Sequence, residues 1–155
     1  MKAKDVARWF LLRNYTEEQH NDEFEPITNL KLQKLLYYAQ GVYLAINNKP
    51  LFDENILAWE HGPVVREVYN QYRANGKSSI KYIAEANDFN ICKSIECDQG
   101  KADVLEFVFE EFGQYTAWAL RNKTHKERPW LKTKQNDIIK QELIRDYFLE
   151  EVIEV

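Results

Sequence analysis

The sequence predicts a mainly α fold of the α+β class: one compact helical domain over residues 1–155, arranged around a central apolar helix, with a small β element. Three observations lead there. From Ile27 to Asn47, Leu32, Leu35, Leu36, Ala39, Val42, Tyr43 and Ile46 recur at steps of three and four, which is one face of a helix. Leu30, Tyr38 and Leu44 widen that face until the helix needs cover on more than one side. The chain is 45% hydrophobic and 14% aromatic, enough for a core without staples and too apolar for disorder. Alternating apolar patterns are short and few, so strands are a minor part.

The elements follow in order. A first helix is expected from Ala3 to Asn14, with Val6, Trp9, Phe10 and Arg13 on its inner face. The polar run Thr16 to Glu25 reads as a loop closed by Pro26. Thr28 or Asn29 can cap the central helix, and Asn47-Asn48-Lys49-Pro50 stops it. Its Lys31, Gln33, Lys34 and Gln40 read as a polar rim. Leu51 to Asp53 and Ile56 to Trp59 read as short extended segments. Pro63 suits the first turn of a helix over about Val64 to Asn75, because its missing N–H would be unpaired there anyway, and Gly76 ends that helix. The alternation in Ser79 to Ile83 and in Phe89 to Ile95 predicts one or two short strands. Helices are expected again over Ala102 to Phe112, over Thr116 to Asn122, and from near Asp137, with Thr124 to Trp130 as a loop.

Composition narrows the function. A formal net charge of −4 does not suit general nucleic-acid binding, which relies on phosphate neutralisation. No apolar run is long enough to span a membrane. The charged N-terminus lacks the apolar stretch of a signal peptide, which places the chain in the cytoplasm. Cys92 and Cys97 then read as free thiols. Charge is uneven: Arg121, Lys123, Lys126, Arg128, Lys132 and Lys134 stand against Glu127 alone, whereas residues 137–154 are mostly acidic. That basic stretch is either a solvated loop or a docking patch.

The usual catalytic signatures are missing. Five scattered glycines make no phosphate loop, and no Gly-x-Ser-x-Gly or His-Glu-x-x-His occurs. Paired carboxylates such as Glu106 and Glu110 fit a solvated helix face. No catalytic residue, cofactor or metal site is assigned. Two clusters exceed what a core needs. One is Trp59-Glu60-His61-Gly62-Pro63-Val64. The other is Thr124-His125-Lys126-Glu127-Arg128-Pro129-Trp130, where a hydroxyl, an imidazole, cations and a large aromatic share one stretch. Each is either a pinned loop or a partner-binding surface, since Trp and Arg are typical hot-spot residues. Two other classes stay open: a metal-assisted hydrolase using His61 and His125, with Cys92 and Cys97 as further ligands for zinc, and a nucleic-acid module using the basic 121–134 loop with Trp130.

The run Leu30-Lys31-Leu32-Gln33-Lys34-Leu35-Leu36-Tyr37-Tyr38-Ala39-Gln40 resembles the hallmark of the Panacea domain family of SocA-like antitoxins and phage-associated proteins. Pro50-Leu51-Phe52, Ala58-Trp59, Gly62-Pro63-Val64, Val68-Tyr69, Tyr72, Thr124-His125, Pro129-Trp130 and Ile144 to Phe148 follow in the family's order. The resemblance implies a helical core with a small β element and a non-catalytic antitoxin of a type II-like toxin–antitoxin system, often carried on prophages. Its implied partner is a cognate protein toxin. SocA-type members also act as adaptors that deliver the toxin to the ClpXP protease. Some relatives carry a helix-turn-helix domain, and the stretch before Ile27 is too short for one. The family motifs bring no catalytic or metal role. The toxin-binding candidates are therefore His61, Gly62, Pro63, Thr124, His125, Lys126, Arg128 and Trp130.

Overall fold

The central helix is where the expected architecture takes shape. The computed structural model describes residues 1–153. Helix α1 spans Ala3–Glu18 and α2 spans Asn29–Asn47. Strands β1 (Leu57–Trp59) and β2 (Gly62–Val64) form an antiparallel hairpin, followed by α3 (Arg66–Tyr72) and a 3₁₀ turn. Helices α4 (Asp88–Glu96), α5 (Gln99–Phe112), α6 (Ala117–Thr124), α7 (Arg128–Leu131) and α8 (Gln141–Glu151) complete the order. The fold is mainly helical with one small sheet.

Helix α2 packs against α8, α5, α6, β2, α1 and α3. Nineteen residues give it about 28 Å of length at 1.5 Å per residue, enough to touch every layer. The Thr28 hydroxyl accepts from the Lys31 N–H at its start, and Asn48 ends it in the left-handed region at φ 54°. Leu32, Leu35, Leu36 and Ala39 are fully buried. Leu35→Ala should therefore cost about 2–5 kcal/mol in a urea titration.

The polar rim expected on α2 is not a rim. Gln33, Lys34 and Gln40 are buried, because α2 is covered on that side too, by the hairpin and the 51–52 segment. They serve as brackets for the loops that cover them. Gln40 accepts from the Leu51 N–H at 2.8 Å and donates to the Phe52 carbonyl at 2.8 Å. Gln33 accepts from the Val65 N–H at 2.9 Å. Ile46, expected in the core, is 58% exposed.

Other boundaries differ for local reasons. Arg13–Glu17 and Asn14–Glu18 side-chain pairs carry α1 one turn past its expected end. Pro63 lies in β2 opposite Ala58, not at a helix start, so α3 begins only at Arg66. The other edge of β1 is held by residues 136–139: Ala58 donates to the Asp137 carbonyl and accepts from Asn136, and Ile139 donates to Ile56. That pairing delays the last helix from Asp137 to Gln141 and leaves Ile138 exposed. Phe89 to Ile95 is helix, not strand. Ile91 and Ile95 are four apart, a spacing that fits both periods, and both face the core while Phe89 is exposed. Asp88 anchors that helix start by pairing with Arg8 of α1 at 2.7 Å, which holds its carboxyl down at about 2. Residues 128–131 form the short α7 within the expected loop.

Candidate functional site

The two sequence clusters, some sixty residues apart, meet beside α2. The hairpin presents Glu60 and His61 at its turn, with Gly62 and Pro63 buried behind them. Helix α6 brings its C-terminal end alongside β2. Thr116 caps α6 by accepting from the Ala119 N–H at 3.0 Å.

Gly62 is the contact point. Its φ is +109°, and a Cβ there would lie 2.7 Å from Lys34 Cε and 2.8 Å from Thr124 Oγ1. A side chain is thus excluded both by backbone conformation and by space. Lys34, fully buried, donates to the Pro63 carbonyl at 3.2 Å. Burial, aided by the Arg121 charge, lowers its ammonium to about 7. The buried Thr124 hydroxyl donates to the Arg121 carbonyl at 2.8 Å.

His125 and Trp130 stack at 4.0 Å between ring centroids with planes 9° apart. The Trp130 indole N–H donates to the Trp59 carbonyl at 2.8 Å, so the pair is pinned to the end of β1. His125 Nε2 is buried and has no hydrogen-bond partner among the described residues. Burial, then the nearby Arg121 and Lys34 charges, lowers the His125 pKa.

Behind this lies Glu127, the lone acid of the basic stretch and a member of the second cluster. It is 2% exposed and accepts from the Tyr37 hydroxyl at 3.0 Å and the Tyr38 hydroxyl at 2.9 Å. Burial raises its carboxyl pKa, while those two donors and Lys123 at 3.8 Å oppose the rise. Both tyrosine hydroxyls are shifted upward by burial and by the carboxylate. The Tyr-Tyr pair of the hallmark thus seats the loop before α7.

The outward side is different in character. His61 is exposed, and the Arg121 Nε–H donates to its Nδ1 at 3.2 Å. The Arg121 guanidinium lies 4.4 Å over the ring of Trp118, which is 58% exposed. Trp118 lies in the helix expected over Thr116 to Asn122 and is not among the sequence-predicted candidates. Its i, i+3 spacing to Arg121 was the available signal.

The basic stretch is partly consumed. Arg128 reaches Glu150 at 2.6 Å and Glu151 at 3.7 Å and stands over Tyr147, tying α7 to α8. Lys126 is exposed, and no carboxylate lies within 4 Å of it among the described residues. His61, Gly62, Pro63, Thr124, His125 and Trp130 are thus gathered in one place, whereas Arg128 turns toward α8.

Among the described residues no group of three or more His, Cys, Asp or Glu side chains gathers as a metal site would require. Cys92 and Cys97 lie on or beside α4, which packs on α1 and α5, away from the elements carrying His61 and His125. No helix among the described residues is long and apolar enough to cross a membrane.

Comparison with known proteins places the chain in a family. Antitoxin SocA of Caulobacter vibrioides (strain NA1000 / CB15N) is 36% identical over 110 residues, which is 68% of this chain and 58% of that protein. The chain thus spans less than two thirds of that relative's length. No solved structure matches. The family model described as "Antitoxin SocA-like, Panacea domain" matches residues 32–131, from the buried core of α2 to the end of α7. With its hallmark brackets, hairpin and α6–α7 segment all inside that match, this chain belongs to the SocA-like antitoxin family with the Panacea domain.

Proposed function

We propose that this protein is the antitoxin of a toxin–antitoxin pair and neutralises a protein toxin by binding it directly, without catalysis. Family membership supports the antitoxin role. The observation that carries the contact surface is the exposed Trp118–Arg121–His61 array, with Lys126 on the same α6–α7 segment. A Trp and an Arg held by neighbours rather than free to rotate lose little entropy on binding, which suits a hot spot. Gly62, Pro63, Thr124, His125 and Trp130 shape that surface from beneath, and Arg128 braces it against α8.

Co-expression tests the reading. A toxin encoded beside this gene should arrest growth alone and be silenced by this chain, and the two should co-purify. A neighbour that is harmless, or toxicity that persists despite stable expression of this chain, overturns it. Delivery of the toxin to ClpXP is the alternative route of neutralisation, supported by the likeness to SocA-type members. It requires toxin levels to fall only when the protease is present, whereas sequestration silences the toxin equally without it.

A further inference from the structure

A second surface stands apart from the hairpin. An open groove of about 750 Å³ runs between the C-terminal half of α2, the outer face of α5 and the end of α8. Its floor includes Val42, Val104 and Phe112, which are buried. Three large apolar side chains line it that the described residues leave exposed: Ile46 at 58%, Phe107 at 42% and Tyr115 at 40%. All three line the same groove, where scattered surface apolar residues would carry no meaning.

The length of the groove is set by one helix. Gly100, Asp103, Val104, Phe107 and Glu111 line it from a single stripe of α5, at spacings of three, four and seven. At 1.5 Å per residue that stripe is about 16 Å long, or three helical turns. Gly100 keeps one end low, since no side chain rises there.

The rim is acidic. Asp103, Glu111 and Glu151 line the groove against one cation, Lys123, whose charge already faces Glu127. Glu151 is partly offset by Arg128 at 3.7 Å. Asp103 and Glu111 have no cation within 4 Å among the described residues, and the Asp103 side chain accepts only from Gln99.

This charge pattern selects among occupants. Anionic lipid and nucleic acid would be repelled by the carboxylates. A second copy meeting groove to groove would bring two acidic rims together, in a chain of net charge −4. We infer that the groove between α2, α5 and the end of α8 is a docking site for a basic amphipathic helix of another protein, about three turns long. Its apolar residues at i, i+3, i+4 and i+7 would cover Ile46, Phe107 and Tyr115, and its flanking Lys or Arg would face Asp103 and Glu111. The site goes beyond the toxin reading and uses none of the residues of the hairpin surface.

The probe is a fluorescein-labelled amphipathic peptide of about 14 residues with Leu at those spacings and Lys and Arg on the flanks. Fluorescence anisotropy should show binding at least about tenfold tighter than for a scrambled peptide of equal charge, and weaker binding at high salt. Phe107→Lys and the pair Asp103→Lys with Glu111→Lys should each abolish that preference. Both changes are at exposed positions, and circular dichroism with urea titration verifies that the variants fold. Trp118→Ala should leave peptide binding unchanged. Equal binding of the scrambled peptide, or unchanged affinity in the folded groove variants, overturns the inference. So does a dimer in light scattering that becomes a monomer in Phe107→Lys, which would make the groove an interface between copies.

Discussion

The interior around Lys34 and Glu127 and the surface around His61, Trp118 and Arg121 are built from adjoining residues, yet they hold polar groups in opposite ways. Inside, each charge is taken from water and held by few, directed bonds: Lys34 to the Pro63 carbonyl, Glu127 to Tyr37 and Tyr38. Outside, Arg121 bonds to His61 and stacks over Trp118 while still meeting solvent. A buried group that loses its partner bears the full desolvation penalty, whereas an exposed one turns to water. The inner set therefore governs whether the hairpin and α6 stay together. The outer set is free to change with the partner.

The largest effect expected from that contrast is at Glu127. Glu127→Ala leaves two buried tyrosine hydroxyls without their acceptor and should cost about 2–6 kcal/mol by urea titration, taking roughly 1–3 for each. Glu127→Gln keeps one acceptor oxygen and should lose less. Equal, small losses for both would mean that water replaces the carboxylate and that the interior is no more committed than the surface.

Gly62→Ala comes next. It meets Lys34 and Thr124 at under 3 Å with φ at +109°, and should cost about 1–3 kcal/mol. Gly62 lies beneath the toxin-binding surface, so loss of binding in proportion to loss of stability is expected. Binding lost with stability intact would move Gly62 itself into the interface.

Lys34 sharpens the comparison through pH. Its folded pKa of about 7 lies below the ordinary value of about 10.5, so between them the unfolded chain carries more protons than the folded one. Stability should rise with pH across that window, and the charged Lys34 weighs against the fold below about pH 7. Lys34→Met should flatten this part of the profile in urea titrations taken from pH 7 to 10. A slope unchanged by the substitution would show that Lys34 titrates as a solvated amine.

The smallest stability effects belong outside. Trp118→Ala and Arg121→Ala should each change stability by less than about 0.5 kcal/mol while weakening toxin binding about tenfold or more. Against an acidic toxin surface, Lys126→Glu should slow association and reduce its dependence on salt. Arg128→Glu is a poorer probe of binding, since it would set a carboxylate against Glu150 and Glu151 and disturb α8.

Much of this molecule was legible from local pattern. The α2 face from Leu32 to Tyr43, its Thr28 cap, the apolar stripe of α5 and the hallmark run Leu30 to Gln40 follow from period and residue type. These are short-range properties. The two clusters around His61 and His125 were also visible as unusual composition, though not as one place.

What failed was wherever a distant segment decided the outcome. Ile91 and Ile95 fit strand or helix equally, and packing on α1 and α5 chose helix. Pro63 became a strand residue because its segment pairs with β1 and its own carbonyl accepts from the distant Lys34. The apparent rim of Gln33, Lys34 and Gln40 was buried, and the apparent core residue Ile46 was left bare on the acidic groove. By itself the sequence determined which helix lies at the centre and which family the hallmark resembles, because periodicity and motif are carried within one stretch. Only the tertiary structure decided which side of that helix meets water, because burial depends on what the rest of the chain lays over it.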